Sequence, residues 1–197
     1  MKKLILGVCL CVSACGTLPT SSEYIARGNG YIKDGRRQEA IDAYNKAVAL
    51  NPANLDIYEA RGAAYFYNGQ YALAAQDFER VLEKNPHRFE VYTAYASALA
   101  AQGNFEQSLA LLNKAVQLRP NSAETYFARG GVQFMLGRYD LAVADYTRTL
   151  QLRYTADVLQ ARAMAYQQWG KPEQARKDFE AAKDPHIPQH INSYAAL

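Results

Sequence analysis

The sequence repeats itself with a period of 34 residues, and this period constrains the fold more than any other feature. Glycine, a small residue, proline and tyrosine each recur in register. The recurring residues are Gly35, Gly69, Gly103, Gly137 and Gly170; Ala40, Ala74, Ser108, Ala142 and Ala175; Pro52, Pro86 and Pro120; and Tyr24, Tyr58, Tyr92 and Tyr126, with Leu159 in the fifth unit. A unit of this length cannot bury its own apolar side chains, so successive units must stack into a solenoid.

Each unit has the pattern of two helices joined by a short turn. In the second unit the pattern predicts helices from Tyr58 to Asn68 and from Tyr71 to Lys84, with Gly69 in the turn. Glycine readily adopts the left-handed conformation that ends a helix, and the proline after a second helix stops that helix. We therefore predict an all-α fold of five units, residues 21–54, 55–88, 89–122, 123–155 and 156–183, followed by a tail over 184–197.

Two details of packing are predicted from the same register. Small residues of the first helices should face the small residues of the second helices, so that the two axes approach closely. The residues concerned in the first helices are Gly28, Gly62, Ala96, Gly130 and Ala163. The junction before the fifth unit lacks one residue and has Tyr154 where proline is expected, so we predict the softest interface, or a change of superhelical pitch, at that point.

The register resembles that of the tetratricopeptide repeat (TPR) family over residues 21–183. The resemblance implies a right-handed superhelix whose first helices line a concave groove for an extended peptide or a partner helix. Carried over position by position, the family's groove falls on Ile25, Asn29 and Ile32; Glu59, Phe66 and Tyr67; Thr93 and Ser97; Phe127, Phe134 and Met135; and Gln160 and Met164.

Four acidic residues, Asp56, Glu90, Glu124 and Asp157, recur at the mouth of this groove. An acidic lip would favour a ligand whose apolar anchors are flanked by lysine or arginine. The alternative is structural, because a carboxylate in the first turn of a helix stabilises the helix dipole by ~0.3–1 kcal/mol.

Three arginines in first helices keep a fixed separation from three aspartates in second helices. The pairs are Arg61 with Asp77, Arg129 with Asp145, and Arg162 with Asp178. We predict an ion pair within each of these three units. The alternative is a row of arginines that binds phosphate groups.

The first fifteen residues have the pattern of an export signal. Lys2 and Lys3 precede a nine-residue apolar stretch, which is too short to span a bilayer, and Val12-Ser13-Ala14-Cys15 resembles the bacterial lipobox. The resemblance implies a signal peptide over 1–14, lipid attachment at Cys15, a short tether over 15–20 and a place on the periplasmic face of the outer membrane. The alternative is an ordinary signal peptide that is cut after Ala14.

Composition argues against several classes of function. Without Lys2 and Lys3 the chain has 20 basic and 19 acidic residues, a balance that disfavours a general nucleic-acid binder. His186 and His190 have the spacing of a metal pair, but the nearby Pro185 and Pro188 oppose a helix. No phosphate-binding loop or catalytic set is present, so we predict no enzyme activity, no cofactor and no metal.

These patterns together predict a non-enzymatic, lipid-anchored scaffold that binds proteins or peptides of the cell envelope. Family resemblance offers two versions: a pilotin or pilus-biogenesis lipoprotein that assists secretin assembly, and an NlpI-type adaptor that recruits cell-wall hydrolases or proteases. Self-assembly of the repeats is a third possibility. Whether the tail caps the last unit or enters the groove is left open at this stage.

Overall fold

The computed structural model describes residues 18–191, and every regular element in that range is an α-helix. Two helices form each of the five units, which confirms the predicted all-α helix-turn-helix architecture. The helices are α1 Ser21–Lys33, α2 Arg37–Leu50, α3 Leu55–Tyr67, α4 Tyr71–Lys84, α5 Phe89–Ala101, α6 Phe105–Leu118, α7 Ala123–Met135, α8 Tyr139–Leu152, α9 Ala156–Gln168 and α10 Pro172–Ala181.

The turn inside each unit is closed by its glycine. All five turn glycines have φ between +73° and +82°, a conformation that costs an L-residue about 1–2 kcal/mol. In the second unit the Gln70 amide donates to the Tyr65 carbonyl across Gly69 at 2.8 Å, the shortest of the hydrogen bonds that satisfy carbonyls at the end of α3.

Antiparallel pairing of the helices gives the solenoid two different edges. The first helices begin and the second helices end along one edge, which we call the lip edge. The glycine turns lie along the opposite edge, which we call the turn edge. A first helix has 13 residues, so the two edges are separated by about 20 Å.

The glycines of the first helices pack against aromatic rings of the second helices, a contact that the sequence analysis did not predict. A Cβ atom on Gly28 would lie 2.5 Å from the ring of Tyr44, and one on Gly130 would lie 2.8 Å from the ring of Tyr146. The absent side chain therefore makes room for a large one. In the third unit the ring is replaced by Leu112, and alanine stands in the glycine position as Ala96.

The weakest core among the described residues lies between the third and fourth units. Its buried apolar residues are Ala96, Leu112 and Val132. The junction before the fifth unit, which we expected to be softest, has a larger core that includes Leu150, Val158 and Leu159. The predicted softest interface is therefore wrong, since this junction has the larger core, to which the tail adds Ile191, and the change of pitch stays a prediction.

The tail folds back onto the start of α9 and caps the last unit. The amides of Ala156 and Asp157 donate to the carbonyls of Pro188 and Gln189 at 2.8 and 3.1 Å. Ile191 is 4% exposed and belongs to the core of the last two units. The tail thus satisfies helix-terminal amides and covers apolar surface, and it does both without forming a helix of its own within residues 184–191.

The chain enters the first helix through a capping box at the lip edge. The Thr20 hydroxyl accepts from the Glu23 amide, and the Glu23 carboxylate accepts from the Thr20 amide at 2.7 Å. The signal peptide and Cys15 lie outside the described residues. Within residues 18–191, no helix has the length and apolar character needed to cross a bilayer.

Candidate peptide-binding groove

The first helices line two separate clefts. Cleft one has a volume of about 800 Å³ and lies on the first two units and the start of the third. It contains five of the predicted groove residues: Ile25, Asn29, Ile32, Glu59 and Tyr67. Its wall also carries Lys33 and Arg88, so cleft one combines apolar surface with charged groups.

Cleft two has a volume of about 650 Å³ and lies between the third and fourth units. Ser97, Phe134 and Met135 line it as predicted, together with small residues that include Ala101 and Gly131. Every lining residue is uncharged. The third unit contributes two alanines, Ala100 and Ala101, where the second and fourth units have larger side chains, which leaves room for cleft two.

Three predicted groove residues are part of the packing instead. Phe66 packs edge-on against Tyr71 with ring centroids 5.4 Å apart, and Phe127 packs against Tyr146 at 5.7 Å. Thr93 is buried, and its hydroxyl lies 3.1 Å from that of Thr125 in the next first helix. None of the three lines a cleft: the two phenylalanines pack against rings of their own units, and Thr93 is covered by the next unit.

Gln160 and Met164 are exposed on α9, but neither lines one of the two clefts.

Arginines compensate the acidic residues at the lip edge. Arg88 donates to Asp56 at 2.6 Å and to Glu59 at 2.8 Å, and these hydrogen bonds raise its pKa. Arg119 and Arg153 pair with Glu90 and Glu124 at 3.4 and 2.6 Å.

Asp157, the fourth lip acid, accepts the Ile191 amide of the tail at 2.8 Å. The acids do lie in first turns of helices, as the structural alternative requires. Arginines far away in the sequence therefore compensate three of the four lip acids, and the lip is less acidic than we expected.

A polar pair fixes one wall of cleft one. The Tyr44 hydroxyl donates to Asn29 Oδ1 at 2.7 Å. Burial raises the pKa of Tyr44 to about 12, so this phenol is neutral and remains a donor at physiological pH. Asn29, which lines cleft one, is thus held in place through its amide oxygen.

The structure brings all three predicted Arg–Asp pairs together with two-point geometry. In each pair the arginine Nε and Nη2 atoms donate to the two aspartate oxygens at 2.7–2.8 Å. All three aspartates are buried. Hydrogen bonds from the arginines to these aspartates raise the pKa of Arg61, Arg129 and Arg162.

The same arginines make a third contact that sequence reasoning missed. Their Nη1 atoms donate to Asn45, Asn113 and Thr147 of the preceding unit at 2.8, 3.0 and 3.1 Å. The three acceptors recur with nearly the same period as the arginines, which was the available signal. Each guanidinium thus donates to an aspartate of its own unit and to a side chain of the preceding unit, so the arginines link successive units. Because these donors are already used within the protein, the structure does not support the phosphate-binding alternative.

Comparison with known proteins agrees with this architecture. Three tetratricopeptide-repeat models match the chain: two described as "Tetratricopeptide repeat", over residues 65–129 and 156–184, and one described as "TPR repeat", over 28–69. The chain belongs to the tetratricopeptide-repeat family. None of the curated proteins matches it.

Solved TPR structures have the same fold. The structure "MamA MSR-1 C2" is 24% identical, with a TM-score of 0.69 over 83% of this chain and 95% of that one. "Crystal structure of MamA protein" is 23% identical, with a TM-score of 0.73 over 82% and 89%. The thermophilic TPR protein TTC0263 from Thermus thermophilus is 22% identical, with a TM-score of 0.69 over 84% and 93%.

This fold is typical of non-enzymatic scaffolds that bind other proteins, and the TPR chain described here has the architecture of a protein-interaction scaffold. Residues 18–191 contain no group of three or more histidine, cysteine or acidic residues that could hold a metal ion. The two clefts on the first helices are the candidate binding surface of the protein.

Proposed function

We propose that this TPR protein is a lipid-anchored adaptor of the bacterial cell envelope. Its concave face binds an extended or helical segment of a partner protein and thereby assists assembly or stability of an envelope complex. The observation that carries the proposal is the presence of two clefts in sequence along the first helices, both with large apolar walls. Apolar clefts on a helical scaffold are common anchor sites for peptides and helices.

The two clefts differ in what they can accept. Cleft two has no charged lining residue, so it suits an apolar side chain of the partner. Cleft one contains Asn29, Lys33 and Glu59 beside its apolar wall, and it suits a segment with polar groups. The partner segment is therefore amphipathic, with its apolar anchor toward the third and fourth units.

The proposed location in the cell envelope rests on the resemblance of Val12 to Cys15 to a lipobox. Acylation of Cys15 would place the TPR units on the periplasmic face of the outer membrane. A pilotin-type or pilus-biogenesis role with secretins is the version we favour. An NlpI-type role with hydrolases or proteases and self-assembly through the repeats are the alternatives.

Groove binding is tested by filling each cleft with a large side chain. Ala63→Trp fills cleft one, Ala101→Trp fills cleft two, and Ala72→Trp is the matched control because Ala72 is exposed and lines neither cleft. In crosslinking pull-downs from envelopes, we expect the partner to be lost with the cleft variants and retained with the control. Undiminished capture by both cleft variants would exclude the concave face as the binding surface.

Anchoring is tested separately by mass spectrometry of the mature amino terminus. We expect an acylated Cys15, and we expect Cys15→Ser to release the protein from membranes. An unmodified terminus that begins at Cys15 would support the ordinary signal peptide and would remove the anchor without affecting the groove.

A further inference from the structure

The tether meets the folded domain at one end of the lip edge. Leu18, three residues after Cys15, is 89% exposed, and Ser21 Oγ donates to the Ala47 carbonyl in the last turn of α2 at 3.0 Å. Three extended residues reach only about 10 Å. An acylated Cys15 would therefore hold the lip edge of the first unit close to the lipid surface.

The second helices end at this edge with apolar and basic side chains at a repeated position, beside the lip acids Asp56 and Glu90, which pair with arginines. The last residues of α2, α4 and α6 are Leu50, Lys84 and Leu118. Leu50 is 56% exposed and Leu118 is 38% exposed. Lys84 is exposed and has no ion-pair partner among residues 18–191. Leucines with a free lysine between them match the boundary between acyl chains and anionic headgroups.

We propose that the lip edge of the first three units is a membrane-contact surface that seats the solenoid on the bilayer. This inference rests on the proposed lipid anchor at Cys15. The turn edge then lies about 20 Å farther from the lipid, since the helices run from one edge to the other. The groove consequently opens sideways, parallel to the membrane, where a partner in the same membrane can reach it.

Exposure alone does not single out this edge, because the turn edge also has exposed leucines. Leu73, in the first turn of α4, is 40% exposed, nearly the same as Leu118. The point of attachment distinguishes the two edges, and the similar exposure makes these leucines a matched pair for an experiment.

The test uses tryptophan fluorescence of the mature, acylated protein in vesicles of phosphatidylethanolamine and phosphatidylglycerol. Bromine on the acyl chains quenches tryptophan only at short range. Trp169, the only tryptophan of the chain, follows α9 at the turn edge. Two variants in a Trp169→Phe background carry the probe elsewhere: Leu118→Trp at the lip edge and Leu73→Trp at the turn edge. Circular dichroism establishes that each variant keeps its helices.

We expect loss of fluorescence in brominated relative to unbrominated vesicles for Leu118→Trp, and no loss for Leu73→Trp or for native Trp169. Equal fluorescence for all three in vesicle-bound protein would overturn the contact surface while leaving the anchor intact. Quenching at Leu73 instead of Leu118 would show the opposite orientation and would also refute it. Protein that fails to float with the vesicles would overturn the anchor and this inference together.

Discussion

Gly130 and Gly131 are neighbours in α7, yet only one of them has room for a methyl group. A Cβ on Gly130 would lie 2.8 Å from the Tyr146 ring, whereas one on Gly131 would approach no closer than 3.8 Å, to the Tyr146 hydroxyl. Alanine favours a helix over glycine by about 1 kcal/mol. Whether alanine stabilises or destabilises the protein at these positions is therefore decided by the neighbouring helix α8 rather than by α7 itself.

We predict that Gly130→Ala lowers the free energy of unfolding by about 1–3 kcal/mol, because overpacking exceeds the gain in helix propensity. Gly131→Ala is the matched control and should raise it by up to about 1 kcal/mol. Urea denaturation of both variants measures the difference. Equal stabilisation by the two substitutions would show that Tyr146 moves aside freely.

The buried Arg129–Asp145 pair also acts at the residue scale. Asp145 has a second donor in Gln133, whose Nε2 lies 3.0 Å from Asp145 Oδ2. Gln133 stands where other units have a tyrosine or leucine, and this contact satisfies its NH₂ group, whereas its Oε1 is buried without a partner among the described residues. Removal of Arg129 leaves a buried carboxylate with only a neutral donor from another side chain.

We predict that Arg129→Ala destabilises the protein by about 3 kcal/mol. A double-mutant cycle with Asp145→Ala should give a clear coupling energy, and the charge-reversed double Arg129→Asp with Asp145→Arg should recover part of the loss. Urea denaturation of the native protein, the two alanine variants and their double variant gives the free energies of unfolding for the cycle. Additive losses and no recovery would mean that the pair is not energetically coupled.

Tyr44 gives the protein a predicted sensitivity to alkaline pH. Burial raises its pKa from 10.0 to about 12, so between these values the unfolded chain loses the phenolic proton while the folded chain retains it. Its stability contribution is therefore complete below a pH of about 10 and falls as pH rises toward 12. Tyr44→Phe should reduce this loss, as measured by urea midpoints at neutral pH and between the two pKa values; an unchanged pH dependence would contradict the assignment.

The tail is the element whose role is set by packing rather than by its own structure. Its residues form no helix over 184–191, but two carbonyls bind the first amides of α9 and Ile191 fills the core. Solenoids need a cap over their last apolar face, and this segment supplies one with very few residues.

We predict that Ile191→Ala lowers the free energy of unfolding by about 2 kcal/mol and increases amide exchange at the start of α9. Gln189→Ala is the control, because Gln189 is exposed and contacts α9 through its backbone carbonyl. Hydrogen exchange measured residue by residue shows whether the loss of protection lies at the start of α9. Unchanged protection of α9 in Ile191→Ala would show that the cap contributes nothing to the last unit.

At the scale of the whole molecule, the solenoid has a weak point beside cleft two. Ala96, Leu112 and Val132 form the small core there, and Leu112 and Val132 also line the cleft. The small side chains that open a binding site therefore also reduce contact between the third and fourth units. In a linear array, stability depends on such nearest-neighbour interfaces.

We predict that unfolding of the chain is not a single transition. Hydrogen exchange at increasing urea should show α1–α6 and α7–α10 losing protection at different concentrations, with the boundary at the third-to-fourth junction. Simultaneous loss of protection in all helices would show that this interface couples the two halves fully.

The sequence by itself determined the helices, their order, the glycine turns and the Arg–Asp pairs. Each of these features repeats with the unit, and a period in sequence becomes a period in space once the units stack. The acceptors of the third contact of each arginine, Asn45, Asn113 and Thr147, also repeat with the unit. Groove positions that recur with the unit, such as Asn29 and Met135, could also be predicted for this reason.

Only the tertiary structure decided the charge of the lip, the packing of Phe66, Phe127 and Thr93, and the course of the tail. Three of the four lip acids pair with arginines about 30 residues away in the sequence, and Thr93 is buried beneath the next first helix. The tail has no periodic pattern to predict it. These outcomes depend on how side chains of adjacent units meet in three dimensions, which a repeat pattern does not specify.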